Sequence, residues 1–195
     1  MIVSGLPRSG TSLMMQMLAA GGMPVLTDHE RAPDAGNPRG YFEWEAIKRI
    51  GKEPELLDDE ALNGHAVKCI SMLLPKLPAK HDYKVIFMTR PIEEVVRSQR
   101  AMITRLNTQG AALDEEQLRR GLAAHREEVR KWLSAAPHIE WIEIDTELSS
   151  MRRRALFKRW SNSSALNSCL RARRWARSST VRFTASANQH VGRGR

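Results

Sequence analysis

Cysteine is nearly missing from this chain: Cys69 and Cys169 are the only two, and no C-x-x-C pair occurs. Thiols so far apart offer neither a disulfide framework nor a thiolate metal site, so two reduced cysteines in a cytoplasmic protein are expected. Long apolar runs are missing too. None approaches the ~20 continuous apolar residues that span a bilayer, so neither a membrane-spanning helix nor a membrane partner is expected. The apolar start, Met1 to Leu26, lacks a basic leader and is interrupted by Pro7, Arg8, Ser9 and Gly10; it reads as folded structure and not as a secretory signal. A soluble, cytoplasmic protein is the expectation.

Acidic residues are absent after Glu147, where twelve arginines and lysines stand unopposed: Arg152, Arg153, Arg154, Lys158, Arg159, Arg171, Arg173, Arg174, Arg177, Arg182, Arg193 and Arg195. The formal net charge of +9 is therefore a property of the tail alone. Without those twelve, 19 basic residues face 22 acidic ones and residues 1–147 carry a net −3. The chain divides accordingly into a domain at 1–147 and a basic Arg/Ser-rich tail at 148–195, the tail being either a poorly ordered arm or an out-of-frame continuation.

What is present suffices for one domain: 195 residues, 42% hydrophobic, can bury a sizeable core. Ile2 to Ser4 reads as a strand, and Leu13, Met14, Met17 and Leu18 recur at helical spacing until Gly21 and Gly22. Pro24 to Leu26 is expected as a second short strand, followed by an exposed loop from Thr27 to Gly40. Ala66 to Ile70, Lys84 to Met88 and Ile139 to Ile144 read as further strands, with a short helical crossover at Leu73 to Leu77. Two amphipathic helices separate the last two strands. One runs from Pro91 through Ile92, Val95, Val96, Gln99, Met102 and Ile103 to Leu106, and the other carries Leu118, Leu122, Val129, Trp132 and Leu133. Strands alternating with helices predict an α/β, P-loop-like three-layer fold around a mostly parallel central sheet.

The segment Gly5-Leu-Pro-Arg-Ser-Gly-Thr-Ser12 follows a strand and opens a helix, the context in which backbone N–H groups converge on a phosphate. In a Walker A loop the residue after the second glycine is Lys; here it is Thr11, and the basic residue is Arg8, inside the loop. A kinase or NTPase would also place an acid at a neighbouring strand end to hold Mg²⁺, whereas Val85-Ile-Phe-Met-Thr-Arg90 ends in arginine. Fixed cations in place of a metal suit a nucleotide donor whose leaving group is a phosphate.

This loop resembles the one that sulfotransferases wrap around the 5′-phosphosulfate of 3′-phosphoadenylyl sulfate, in the arginine-containing form of the tyrosylprotein and bacterial branches. The family's second element, an arginine after an apolar strand and a serine eight residues on, is matched by Arg90 and Ser98 in Arg90-Pro-Ile-Glu-Glu-Val-Val-Arg-Ser98. The resemblance spans about residues 1–147. It implies that Pro7, Arg8, Ser9, Gly10, Thr11 and Ser12 bind the donor, that Arg90 and Ser98 grip its 3′-phosphate, and that no metal is used. Catalytic roles would fall to Arg8, to Lys68, which matches a lysine near the transferring sulfuryl group, and to Glu43 as general base. Glu43 lies in Asn37-Pro-Arg-Gly-Tyr-Phe-Glu43, a segment similar to one in bacterial sulfotransferases, with Asp28, His29 and Glu30 as competitors.

The expected partners are thus a small nucleotide donor and an acceptor whose identity the sequence does not carry. Three other readings stand beside this one: a P-loop kinase or NTPase, an inactive donor-binding fragment, and a nucleic-acid binder working through Trp160 and Trp175 among the tail arginines, nucleic acid being the lesser expectation. Twelve cations without an internal acid disfavour compaction. Limited proteolysis is therefore expected to remove residues 148–195 first and leave a folded core; protection of the tail equal to that of the Lys84 to Met88 strand would refute this.

Overall fold

The structure is a computed structural model that describes residues 1–28, 30–34, 37–105 and 114–146. The tail, His29 and Leu106 therefore lie outside the described residues. Four strands, β1 (Ile2–Gly5), β2 (Val67–Lys68), β3 (Tyr83–Thr89) and β4 (Ile139–Asp145), form one sheet in the order β2-β1-β3-β4. Every pairing is parallel.

Alternation along the strands sorts the core into two halves. On one face Ile2, Val67, Val85 and Phe87 pack with Val129 and Leu133 of α3 (Glu115–Ala135) and with Ile47, Ile50, Leu74 and Leu77. On the other, Val3, Ile86 and Met88 pack with Met14, Met15 and Leu18 of α1 (Thr11–Ala20). Ile92 and Val96 of α2 (Ile92–Arg105) join Leu6 in a third cluster, against Leu118 and Leu122 of α3. Helices thus cover both faces of a parallel sheet, and the fold is a three-layer α/β domain. Among the described residues no helix is long and apolar enough to cross a membrane.

Local chemistry sets the element ends. Asp114 and Gln117 form a reciprocal capping box that starts α3 just ahead of its first apolar residue, Leu118. Glu93 and Glu94 occupy the first turn of α2, where the helix dipole favours them. The expected crossover helix is a 3₁₀ helix, Ser71–Lys76, with Pro75 inside it; a residue without an N–H is better borne by a short 3₁₀ segment than by an α-helix interior. The expected strand at Pro24 to Leu26 is reduced to a single bridge, Val25 to Ala66. Ala66 donates to the Pro24 carbonyl and Leu26 donates to that of Ala66. Three further 3₁₀ segments, Glu45–Arg49, Pro54–Leu57 and Glu60–Leu62, were not expected from periodicity; each is too short to display one.

From β1 the chain passes to β2 on one side, and from β3 to β4 on the other. The carboxyl ends of β1 and β3 therefore flank the topological switch point, where open α/β sheets bind ligands. Phe87, fully buried at the middle of β3 and edge-on to Trp141 at 6.5 Å, anchors the larger half-core. Phe87→Ala is expected to cost about 3–5 kcal/mol of unfolding free energy, read from the urea midpoint.

Candidate functional site

The site begins where β1 runs out. Gly5 has φ 153°, and a Cβ there would lie 2.4 Å from both the Met88 carbonyl oxygen and Ser9 Oγ. Only glycine lets the backbone leave the strand at this point. Arg8 (φ 73°) and Gly10 (φ 95°) are both left-handed, and the Ser9 amide donates to the Leu6 carbonyl at 3.1 Å, closing the loop. α1 then opens at Thr11 without a side-chain cap and without an acid in its first turn. Its leading amides are left for an anion.

α2 holds this loop from the side. Arg8 Nε donates to Ser98 Oγ at 2.9 Å, Gln99 Nε2 donates to the Pro7 carbonyl at 3.5 Å, and Arg90 Nη1 donates to the Arg8 carbonyl at 3.4 Å. Arg8, Arg90 and Ser98, separated by 82 to 90 residues from loop to helix, are thereby drawn together. Arg90 also pairs with Glu94, one turn along, at 2.6 Å. Ser98 does not line the cleft itself and reaches it through Arg8.

A cleft of about 470 Å³ opens at this point, lined by the loop, Ser12, Lys68, Arg90, Glu43 and Arg31 among others. Lys68 does not extend to water: its side chain is only 10% exposed. Its ammonium donates to the Tyr41 carbonyl at 2.7 Å, to Glu43 Oε1 at 2.9 Å and to Ser12 Oγ at 3.3 Å. Burial lowers the Lys68 pKa from its ordinary value, and the bond to Glu43 opposes that shift. Glu43 Oε1 also accepts from Arg31 Nη1 at 3.1 Å. Arg31 in turn lies over the Tyr41 ring, 3.5 Å from its centroid. The Tyr41 hydroxyl donates to Asp34 at 2.7 Å, and burial followed by this bond raises its pKa.

Of the competitors for the base, Asp28 and Glu30 stand outside this cleft. Asp28 accepts from the amides of Glu30 and Glu45, one on each carboxylate oxygen, and so organises its own loop. Glu30 is exposed. Neither lines the cleft, whereas Glu43 does.

Thr146, Tyr41 and Arg31 belong to the site although sequence reasoning did not single them out. The Thr146 hydroxyl, buried past the end of β4, lies 2.9 Å from the Thr89 carbonyl and 3.3 Å from the Ser9 carbonyl. Its Cγ2 sits 2.7 Å from where a Cβ on Gly10 would project. Thr146 therefore braces the loop against the ends of β3 and β4. The one signal for it was its place just after a strand; Tyr41 lies in the Asn37 to Glu43 segment and Arg31 in the loop before it.

Chemically, a loop of amides and four cations, Arg8, Arg31, Lys68 and Arg90, face one cleft whose one lining carboxylate among the described residues, Glu43, is paired, an arrangement suited to a ligand with several anionic groups. Gly10→Ala is expected to lower unfolding free energy by about 2 kcal/mol through the left-handed φ and the contact with Thr146. Adding Thr146→Ser, which removes only the methyl group, should recover part of that loss in urea denaturation; no recovery would place the whole cost in the backbone. Comparison of the chain with protein-family models, with curated proteins and with solved structures finds no match.

Proposed function

We propose that the chain transfers a sulfuryl group from 3′-phosphoadenylyl sulfate to a hydroxyl or amine acceptor. The observation that carries this is the gathering of the loop amides, Arg8, Lys68 and Arg90 around one cleft, with Ser98 tied to Arg8. The loop from Pro7 to Ser12 and the Arg8 side chain would hold the 5′-phosphosulfate. Arg90 and Ser98 would hold the 3′-phosphate. The Arg90–Glu94 pair is partly solvated, with side chains 26% and 37% exposed, so a phosphate can replace Glu94 at small cost.

In the reaction Glu43 takes the acceptor's proton and the acceptor's oxygen or nitrogen bonds to sulfur. The bond from sulfur to the bridging oxygen breaks, and its electron pair leaves on the nucleotide phosphate, giving adenosine 3′,5′-bisphosphate. Arg8, the loop amides and Lys68 stabilise charge on the leaving and transferring oxygens. Glu43 supplies the base because it is the cleft's carboxylate and stands 2.9 Å from the lysine that faces the transferring group.

Incubation with ³⁵S-labelled donor and a cell extract should label an acceptor; no transfer to any component would refute the activity. Binding is tested separately by calorimetry. Arg90→Ala is expected to weaken adenosine 3′,5′-bisphosphate by about 2–4 kcal/mol, as for loss of a charge-assisted contact. Adenosine 5′-phosphate, lacking the 3′ group, should barely respond. Ser98→Ala should cost less and be felt by both nucleotides, because Ser98 also holds Arg8. Equal losses of both nucleotides in Arg90→Ala would return Arg90 to the role of a structural ion-pair residue.

A further inference from the structure

The ammonium of Lys68 has three protons and three acceptors: the Tyr41 carbonyl, Glu43 Oε1 and Ser12 Oγ. It is saturated. An anionic group that is to bind Lys68 must therefore displace one of them. The Tyr41 carbonyl is backbone and also accepts from Ser12 Oγ at 3.2 Å, so these two partners support one another. Glu43 differs from both. It is the only charged acceptor of the three, so an incoming anion repels it, and it already has a second cation in Arg31. Arg31 is held over the Tyr41 ring and is 39% exposed on its side chain, against 10% for Lys68.

We infer that Glu43 and the phosphosulfate compete for Lys68, so that donor binding hands Glu43 from Lys68 to Arg31 and only then frees it to act as base. The inference rests on the donor reading above and adds an order to it. In the empty cleft the carboxylate is held between two cations, one of them in a water-poor setting where their attraction is strong. Once Lys68 has turned to the donor, Glu43 keeps only the more solvated guanidinium, whose hold is screened, and the side of Oε1 that Lys68 covered is open to the acceptor. The order is thus set by the co-substrate: donor binds first, and an acceptor arriving early meets a carboxylate still bonded to Lys68.

Titration calorimetry with 3′-phosphoadenylyl sulfate on the full chain, without acceptor, reads the competition directly. Glu43→Gln keeps the shape and removes the charge; it is expected to bind the donor about tenfold more tightly than wild type. In a Lys68→Met background the same substitution should change nothing, because no ammonium is left to contest. Unchanged or weaker binding by Glu43→Gln overturns the inference, as does a tightening that persists in the Lys68→Met background. A measurement on the unsubstituted chain makes the same test without a folding risk: the side-chain carboxyl ¹³C resonance of Glu43 should move on saturation with donor and stay in place with adenosine. A resonance unmoved by saturating donor overturns the inference. Failure of wild type and every variant to bind the nucleotide is a different result; it removes the donor reading, and this inference with it.

Discussion

Everything in the site depends on how closely β1 approaches β3. Gly5 pairs with Met88 at the last rung of that parallel ladder, and no side chain fits at Gly5 because the Met88 carbonyl and Ser9 Oγ occupy its place. A chain that leaves a strand so tightly against its neighbour must turn at once, and Arg8 and Gly10 make the turn in left-handed conformations. The same strand pair carries Thr89 and Arg90 to the opposite lip of the crevice. Loop and arginine are therefore set in register by one hydrogen-bonded ladder and not by flexible connections.

The electrostatics are as local as the geometry. The first 147 residues are net acidic, yet the cleft they build is ringed by Arg8, Arg31, Lys68 and Arg90. A concave site with low-dielectric walls concentrates such a field, so overall charge says little about which ligand enters. Lys68 is the costliest member. Burying an ammonium is repaid only by near-complete hydrogen bonding, and the three oxygens around it supply that.

Legibility in the sequence follows the range of the interaction. Strands and helices announce themselves by period, and the α/β layering followed from their order. Lys68 stands out as a charge in an apolar run, and Arg90 with Ser98 as a spacing on one strand–helix unit. The partners of these residues do not announce themselves. Nothing periodic links Lys68 to Glu43, 25 residues earlier in an irregular loop, and Glu43 was reached only through a resemblance. The bond from Arg8 to Ser98 crosses 90 residues. The Tyr41 to Glu43 segment covers Lys68 and keeps its ammonium from reaching water. The extended reading of Pro24 to Leu26 failed for a simpler reason, since the partner strand offers it just one bridge.

The bond from Thr146 to Ser9 spans 137 residues, almost the whole described fold. The glycine loop leaves the ribosome 137 residues ahead of the side chain that braces it. At about 5–20 residues per second, it waits on the order of 10 s for its strut to be synthesised. Until then the loop is held by Arg90, Ser98 and Gln99 alone, and the cleft is whole only after β4 has been made.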